Sequence, residues 1–341
     1  MLRPESIAIL AVVLALSLCT LEASGMDPLQ NVTRSAALAV GVIPPSNWAP
    51  RFLKRIAWRA EGHLLNFIGL FDTCSPPDSK LSLRVLLRWK AIAACDRRSP
   101  AFEEDGITYD LLPGGFRRLL LRGPLCRLYP RWIHVIIEIR TAYLDGAIMR
   151  IRDELGSAAK IRLISMGGGY DSRCVRLRAR GIIDDAVDLD LEPVIYAKTR
   201  MLDRLVMRRK KTNNNLDCEG DVILPELVPI DFNNVEDVQS TLVQIIKKRS
   251  KYGQRWHNIF LFEGVLMYLP EGIPSKLLRA CCEALKDTRQ RGSVVFADTL
   301  ENIPNDDIDT ARVELARLGW RVVEWLPKGG RTRHMGRIDV K

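Results

Sequence analysis

The sequence has no CxxC pair, no clustered histidines and no nucleic-acid-binding stripe. Its eight cysteines are Cys19, Cys74, Cys95, Cys126, Cys174, Cys218, Cys281 and Cys282, and only the last two are close together. The four histidines, His63, His134, His257 and His334, are scattered. Zinc centres draw their ligands from closely spaced Cys and His, so this spacing excludes one and no metal site is expected. It also argues against an oxidised framework and for reduced, mostly buried thiols. The formal net charge is +10, but the basic residues are spread out. A stripe in which aromatics interleave with basic residues is missing, so no nucleic-acid partner is expected. No repeat is visible, which excludes solenoid architectures.

The chain also has little that could span a bilayer. The uncharged run Ile7–Thr20 is short of the roughly 20 residues that a spanning helix needs. Arg3 precedes it, and Glu22 and Ala23-Ser24-Gly25 follow. That order resembles a secretory signal. A membrane anchor and an organellar presequence are the other readings, the latter weakened by Glu5 and the scarcity of Arg. Translation from Met26 would leave a cytoplasmic chain. If the chain is secreted, Asn31-Val32-Thr33 is a glycosylation sequon.

What is present is an α/β pattern. With 341 residues, 47% of them hydrophobic, the chain can build one large domain or two small ones. Helical periodicity marks Arg51–Phe71, Leu81–Cys95 and Arg131–Leu155, and Asp105–Pro113 with Gly114-Gly115 reads as a loop. Strand and helix then alternate. The expected strands are Ile161–Met166, Ala186–Leu189, Leu227–Ile230, Asn258–Phe262, Ser293–Ala297, Trp320–Glu324 and Gly336–Val340. The helices between them are Ser172–Arg180, Val194–Arg209, Val235–Arg249, Pro274–Arg289 and Asp306–Leu318. Strands separated by helices imply right-handed βαβ units in a parallel sheet. The last two strands are close enough to pair antiparallel at its edge. Three segments are expected: a signal-like segment at 1–25, a helical N-terminal cap at 26–130, and a cofactor-binding domain at 131–341.

Candidate site residues gather at the expected strand ends. The first strand runs into Gly167-Gly168-Gly169 and then Asp171. Glycines at such a turn allow positive φ and let a ligand lie on the backbone. A dinucleotide fingerprint needs a third glycine where Ser172 stands, so the fit is partial. The second strand ends in Asp188-Leu189-Asp190, in register to hold ribose hydroxyls. The third ends in Asp231-Phe232, an acid and an apolar residue that suit adenine, or an Asx turn that caps the next helix. The fourth ends in Glu263, and a carboxylate leaving an apolar strand requires partners. Arg140, on the helix before the first strand, has the planar fork that grips an amino-acid carboxylate.

In order, Arg140 in RTAYLDGAI, the run Met166–Arg173, the run Asp188–Lys198, the segment Pro229–Phe232 and the run Glu263–Pro270 resemble the motifs of the leucine carboxyl methyltransferase family. Met166 stands where that family has leucine, Glu192-Pro193 are exchanged, and the C-terminal end is short. The resemblance implies a seven-stranded, mostly parallel Rossmann-like methyltransferase sheet with a helical N-terminal cap, and S-adenosylmethionine as cofactor. It implies that Arg140 grips the methionine carboxylate and that Gly167, Gly169 and Asp171 form the turn beneath the cofactor. Asp190 would hold the ribose with Asp188 in reserve, Asp231 and Phe232 the adenine, and Glu263 the amino group or ribose. Tyr268 would face the acceptor. It further implies an O-methyltransferase acting on a small molecule or a protein carboxylate. Separately, a monomer is expected, and the N-terminal segment suggests membrane association. A nicotinamide-dependent oxidoreductase and a catalytically silent binding protein are the competing classes.

Overall fold

The computed structural model describes residues 83–97, 99–112, 135–213, 222–250, 256–301, 303, 307–326 and 333–341. The signal-like segment, the sequon at Asn31, the helix expected at Arg51–Phe71 and Gly329-Gly330 lie outside them. The chain divides into two units, Met1–Thr141 and Ala142–Lys341.

In the first unit, α1 spans Leu83–Cys95 and buries Leu87, Trp89, Ala91 and Ile92. The expected loop at Asp105–Pro113 is corrected in part: Ile107–Leu111 forms a short helix, α2. Glu103 drives it, since its carboxylate accepts from the Thr108 N–H at 3.1 Å and the Thr108 hydroxyl at 2.6 Å. Ile107 and Leu111 are then buried. Helix α3, Val135–Leu155, crosses the division between the units. Within the second unit its Leu144, Ala147, Ile148 and Ile151 are all fully buried, the spacing of one helix face.

The second unit is one sheet with its helices. The strands are β1 (Lys160–Met166), β2 (Asp185–Asp190), β3 (Glu226–Pro229), β4 (Trp256–Glu263), β5 (Arg291–Asp298), β6 (Trp320–Leu326) and β7 (His334–Val340). The helices are α4 (Arg173–Ala179), α5 (Glu192–Asn213), α6 (Val235–Ser250), α7 (Ile273–Thr288) and α8 (Ile308–Arg317). The order is β3-β2-β1-β4-β5-β7-β6. Strands β1 to β5 pair in parallel, while β7 runs antiparallel to both β5 and β6. The central strands carry near-continuous apolar runs because helices cover parallel sheets on both faces. Ile164, Phe260, Phe262, Val294 and Phe296 are fully buried in the main core, together with Leu242, Ile246, Leu277 and Leu285 from the helices.

Arg162 is the exception inside β1. It is buried, and its guanidinium donates to Asp185 at 3.0 Å and to the Ile245 carbonyl at 2.9 Å. From β1 the chain builds β2 and β3 on one side, and from β4 it builds β5 on the other. The C-terminal ends of β1 and β4 therefore flank the point where the strand order reverses. Open α/β sheets leave a ligand crevice at that point.

Candidate functional site

The glycine turn after β1 is built on close approach. Gly167 has φ 75° and Gly169 φ 48°, both left-handed. A Cβ on Gly167 would lie 2.3 Å from the Val265 side chain, and one on Gly168 would lie 2.4 Å from Asp188 Oδ1. The turn therefore sits against the ends of β4 and β2 with no room for a side chain. Its N–H groups are engaged by β2. Gly167 N–H and Gly168 N–H donate to the Leu189 carbonyl at 2.8 and 3.2 Å, and Gly169 N–H donates to Asp190 Oδ2 at 2.7 Å.

Asp190 thus holds the turn. Its other oxygen accepts from Leu191 N–H at 2.8 Å, and the side chain stays partly exposed. Burial pushes its carboxyl above the usual range against these two N–H bonds. Each carboxylate oxygen can accept two bonds, so Asp190 keeps acceptor capacity. Asp188, two residues earlier, differs. It is 1% exposed, and Lys198 Nζ lies 2.8 Å from its carboxylate. The Cys174 thiol donates to it at 3.3 Å. Burial alone would lower the Lys198 pKa, but Asp188 beside it holds it above its ordinary value. Asp188 is therefore locked inside the fold.

Glu263, Asp171 and Asp145 meet on Arg173. The Arg173 Nη1 donates to Asp171 at 2.5 Å and to Glu263 at 2.8 Å, and its Nε donates to Asp145 at 2.6 Å. Arg176 grips the other oxygen of Asp145 at 2.6 Å. Arg173 is 1% exposed. Burial opposes its charge, but the three carboxylates raise its pKa well above the ordinary value. Burial likewise opposes the Asp145 carboxylate, and Arg176 and Arg173 together hold it below the usual range.

Past β4 the chain turns through Gly264 into a short 3-10 segment, Leu266–Tyr268. Asp298, at the end of β5, organises it. Its buried carboxylate accepts N–H bonds from Val265 (2.6 Å), Leu266 (2.9 Å), Met267 (3.2 Å) and Thr299 (2.8 Å). Tyr268 is left 52% exposed. Arg333 donates from Nη2 to the Met267 sulfur at 3.1 Å, and the same guanidinium covers Gly264.

Beyond β3, Asp231 is exposed and Phe232 is buried. Asp231 Oδ1 accepts from the Asn233 N–H at 2.9 Å and its side-chain amide at 2.8 Å, a local Asx-type arrangement. Arg140 is 4% exposed on α3, the helix that also carries Asp145.

Of the expected residues, the second unit places Gly167, Gly169, Asp171, Asp190, Asp231, Phe232, Glu263 and Tyr268 at or just past the C-terminal ends of β1, β2, β3 and β4. Asp298 and Arg333 are absent from the sequence reading. The first carried a signal, an acid ending the apolar run Val294–Ala297 just as Glu263 ends β4. Arg333 carried none.

Residues 127–282 match the model of the leucine carboxyl methyltransferase family. This region is similar to that family. Its cofactor is S-adenosylmethionine, and the chain is in the S-adenosylmethionine-dependent methyltransferase class. A search of curated proteins finds no significant match. Among solved structures, the methyltransferase fold is similar to a putative O-methyltransferase from Nostoc punctiforme PCC 73102. That pair shares 13% identity over 96% of this chain and 99% of that one, with a TM-score of 0.34. Magnesium protoporphyrin IX methyltransferase from Synechocystis PCC 6803 is 11% identical over 58% of this chain and 78% of its own, TM-score 0.34. A riboflavin-derivative dimethyltransferase from Streptomyces davawensis is 16% identical over 98% and 95%, TM-score 0.34. Among the described residues no helix is long and apolar enough to cross a membrane.

Proposed function

We propose that the chain transfers the methyl group of S-adenosylmethionine to an oxygen acceptor, in the first instance a carboxylate. The observation that carries this reading is Asp190: a partly exposed carboxylate with spare acceptor capacity at the crevice, tied directly to a glycine turn that has no room for a Cβ. Such a donor-poor, acceptor-rich edge fits a ribose diol and a cationic tail. Asp190 holds the ribose hydroxyls. Asp188, enclosed by Lys198, supports the turn from below. Gly167 and Gly169 let the cofactor lie against the backbone, and Asp171 borders it. Asp231 and Phe232 flank the adenine, and Glu263 receives the α-ammonium group. Arg140 is carried over from the family resemblance as the partner of the methionine carboxylate. The bound sulfonium supplies an already activated methyl group.

The chain then has to orient the acceptor in line and exclude water. A carboxylate acceptor is ionised near neutral pH and needs no general base. Tyr268, exposed on a turn fixed by Asp298, orients the acceptor.

Titration calorimetry on the full chain tests the reading. S-adenosylhomocysteine is expected to bind, and Asp190→Ala to weaken it about 100-fold, the loss of two charge-assisted bonds to hydroxyls. Arg140→Ala is the matching test of the carboxylate. Binding of NADH instead overturns the assignment in favour of an oxidoreductase. Binding without turnover on a panel of carboxylates and phenols overturns the catalytic part and leaves a binding protein. The membrane association and monomeric state expected from the sequence are further proposals. Vesicle flotation of the full chain and sedimentation test them.

A further inference from the structure

Arg173 sits behind the proposed cofactor site rather than in it. Its Nη1 is shared between Asp171 and Glu263, at 2.5 and 2.8 Å, so these two carboxylate oxygens are held beside each other on one nitrogen. Nε is anchored from the opposite side by Asp145, which Arg176 holds in turn. Both Arg173 and Arg176 are almost wholly buried. The Glu263 side chain is 8% exposed. Three carboxylates so close and so poorly hydrated cannot all stay ionised and stationary without a cation among them. The guanidinium serves all three because its donors point outward in a fixed planar fork.

We infer that Arg173 is a positioning residue, which fixes Glu263 as the receiver of the cofactor's ammonium group through the relay Arg176–Asp145–Arg173–Glu263. This rests on the assignment of Glu263 made above. The relay gives the sequence run Asp171-Ser172-Arg173 a purpose that a turn alone does not. Asp171 begins it by accepting the Arg173 N–H at 2.9 Å, which sets the helix start and the guanidinium together. On this view Glu263 is selective for one part of the ligand. It acts on the amino-acid tail and not on the nucleoside.

The test compares two ligands on the full chain by calorimetry. S-adenosylhomocysteine carries the amino-acid tail, and 5′-methylthioadenosine has the same adenine and ribose without it. Arg173→Gln is expected to weaken S-adenosylhomocysteine by about 10- to 100-fold, the range for a misplaced charge partner, and 5′-methylthioadenosine by less than about threefold. Arg173→Lys is expected to restore part of the loss. In a Glu263→Gln background, Arg173→Gln should add almost nothing for S-adenosylhomocysteine, since the two act in series. Equal weakening of both ligands in Arg173→Gln, or additive losses in the double variant, overturns the inference and leaves Arg173 a structural residue.

If Arg173→Gln fails to fold by circular dichroism, Asp145→Asn carries the test. It removes the rear anchor and should weaken S-adenosylhomocysteine about threefold, with 5′-methylthioadenosine unchanged. Equal loss of both ligands again overturns the inference. A wild-type chain that binds neither ligand overturns the cofactor reading itself, and this inference with it. Wild-type binding with the wrong pattern among the variants overturns the inference alone.

Discussion

Two turns leave the crevice edge of the sheet, and both are held by an aspartate from the next strand. After β1, the glycine turn is held by Asp190 of β2. After β4, the segment Val265–Tyr268 is held by Asp298 of β5. The difference is in the number of backbone donors. Asp298 accepts four N–H groups and is fully buried. Asp190 accepts two and stays partly exposed. The same device is therefore closed in one place and open in the other. An acid whose acceptor sites are filled by the chain shapes the backbone. An acid with sites left over can also meet a ligand.

The comparison can be tested hardest at its closed end. Asp298→Ala leaves four backbone donors without their acceptor, and is expected to destabilise the fold by about 4 kcal/mol, as measured by urea unfolding. A loss below about 1 kcal/mol would show that the turn holds itself. At the open end the effects should separate. Asp190→Ala should cost about 1 kcal/mol of stability but about 100-fold in S-adenosylhomocysteine affinity. If the stability loss matched that of Asp298→Ala, the contrast between the two acids would be gone.

Gly168→Ala sharpens the contrast from beneath. Its methyl would meet Asp188 Oδ1 at 2.4 Å, which Lys198 keeps in place, so a loss of about 2 kcal/mol is expected in thermal unfolding. Lys198→Met in the same background should relieve the clash only by freeing a buried charge.

The smallest expected effect lies at the other end of the central strands, near the starts of β4 and β5. There His257 Nε2 meets the Ser293 hydroxyl at 2.9 Å, and that hydroxyl donates to Asp339 at 2.7 Å. Burial pushes the His257 pKa down to about 4 from 6.5. The unfolded chain binds this proton below pH 6.5 and the folded chain does not until about pH 4. Stability is therefore present above pH 6.5 and falls between those values. His257→Gln should flatten that fall, seen as an unfolding midpoint that changes less between pH 6.5 and 4 than the wild type's does.

Much of the fold could be read from the sequence. The observed strands fall within two residues of the expected ones at each end, because parallel strands buried on both faces appear as apolar runs bounded by turns. The helix at Ile107–Leu111 was not legible, since it depends on Glu103 reaching the Thr108 backbone and not on periodicity. The strand-end acids were legible as candidates, but not their division of labour. Asp188 and Asp190 share a strand face and a residue type. What separates them is Lys198 arriving from α5 against one of them. Arg173 was visible in its motif, yet its role needs residues from positions 145, 171 and 263 to converge. Asp298 shows the same limit from the other side. Its importance comes from three consecutive N–H groups of a loop more than 30 residues earlier.

That loop has a consequence for redesign. Asp298 fixes the backbone of Val265, Leu266 and Met267, while the side chains of Met267 and Tyr268 project outward, 42% and 52% exposed. The scaffold and the chemistry it displays are thus uncoupled over two adjacent positions. A combinatorial library confined to Met267 and Tyr268 could vary what this turn presents to solvent, without disturbing the strand ends beneath it.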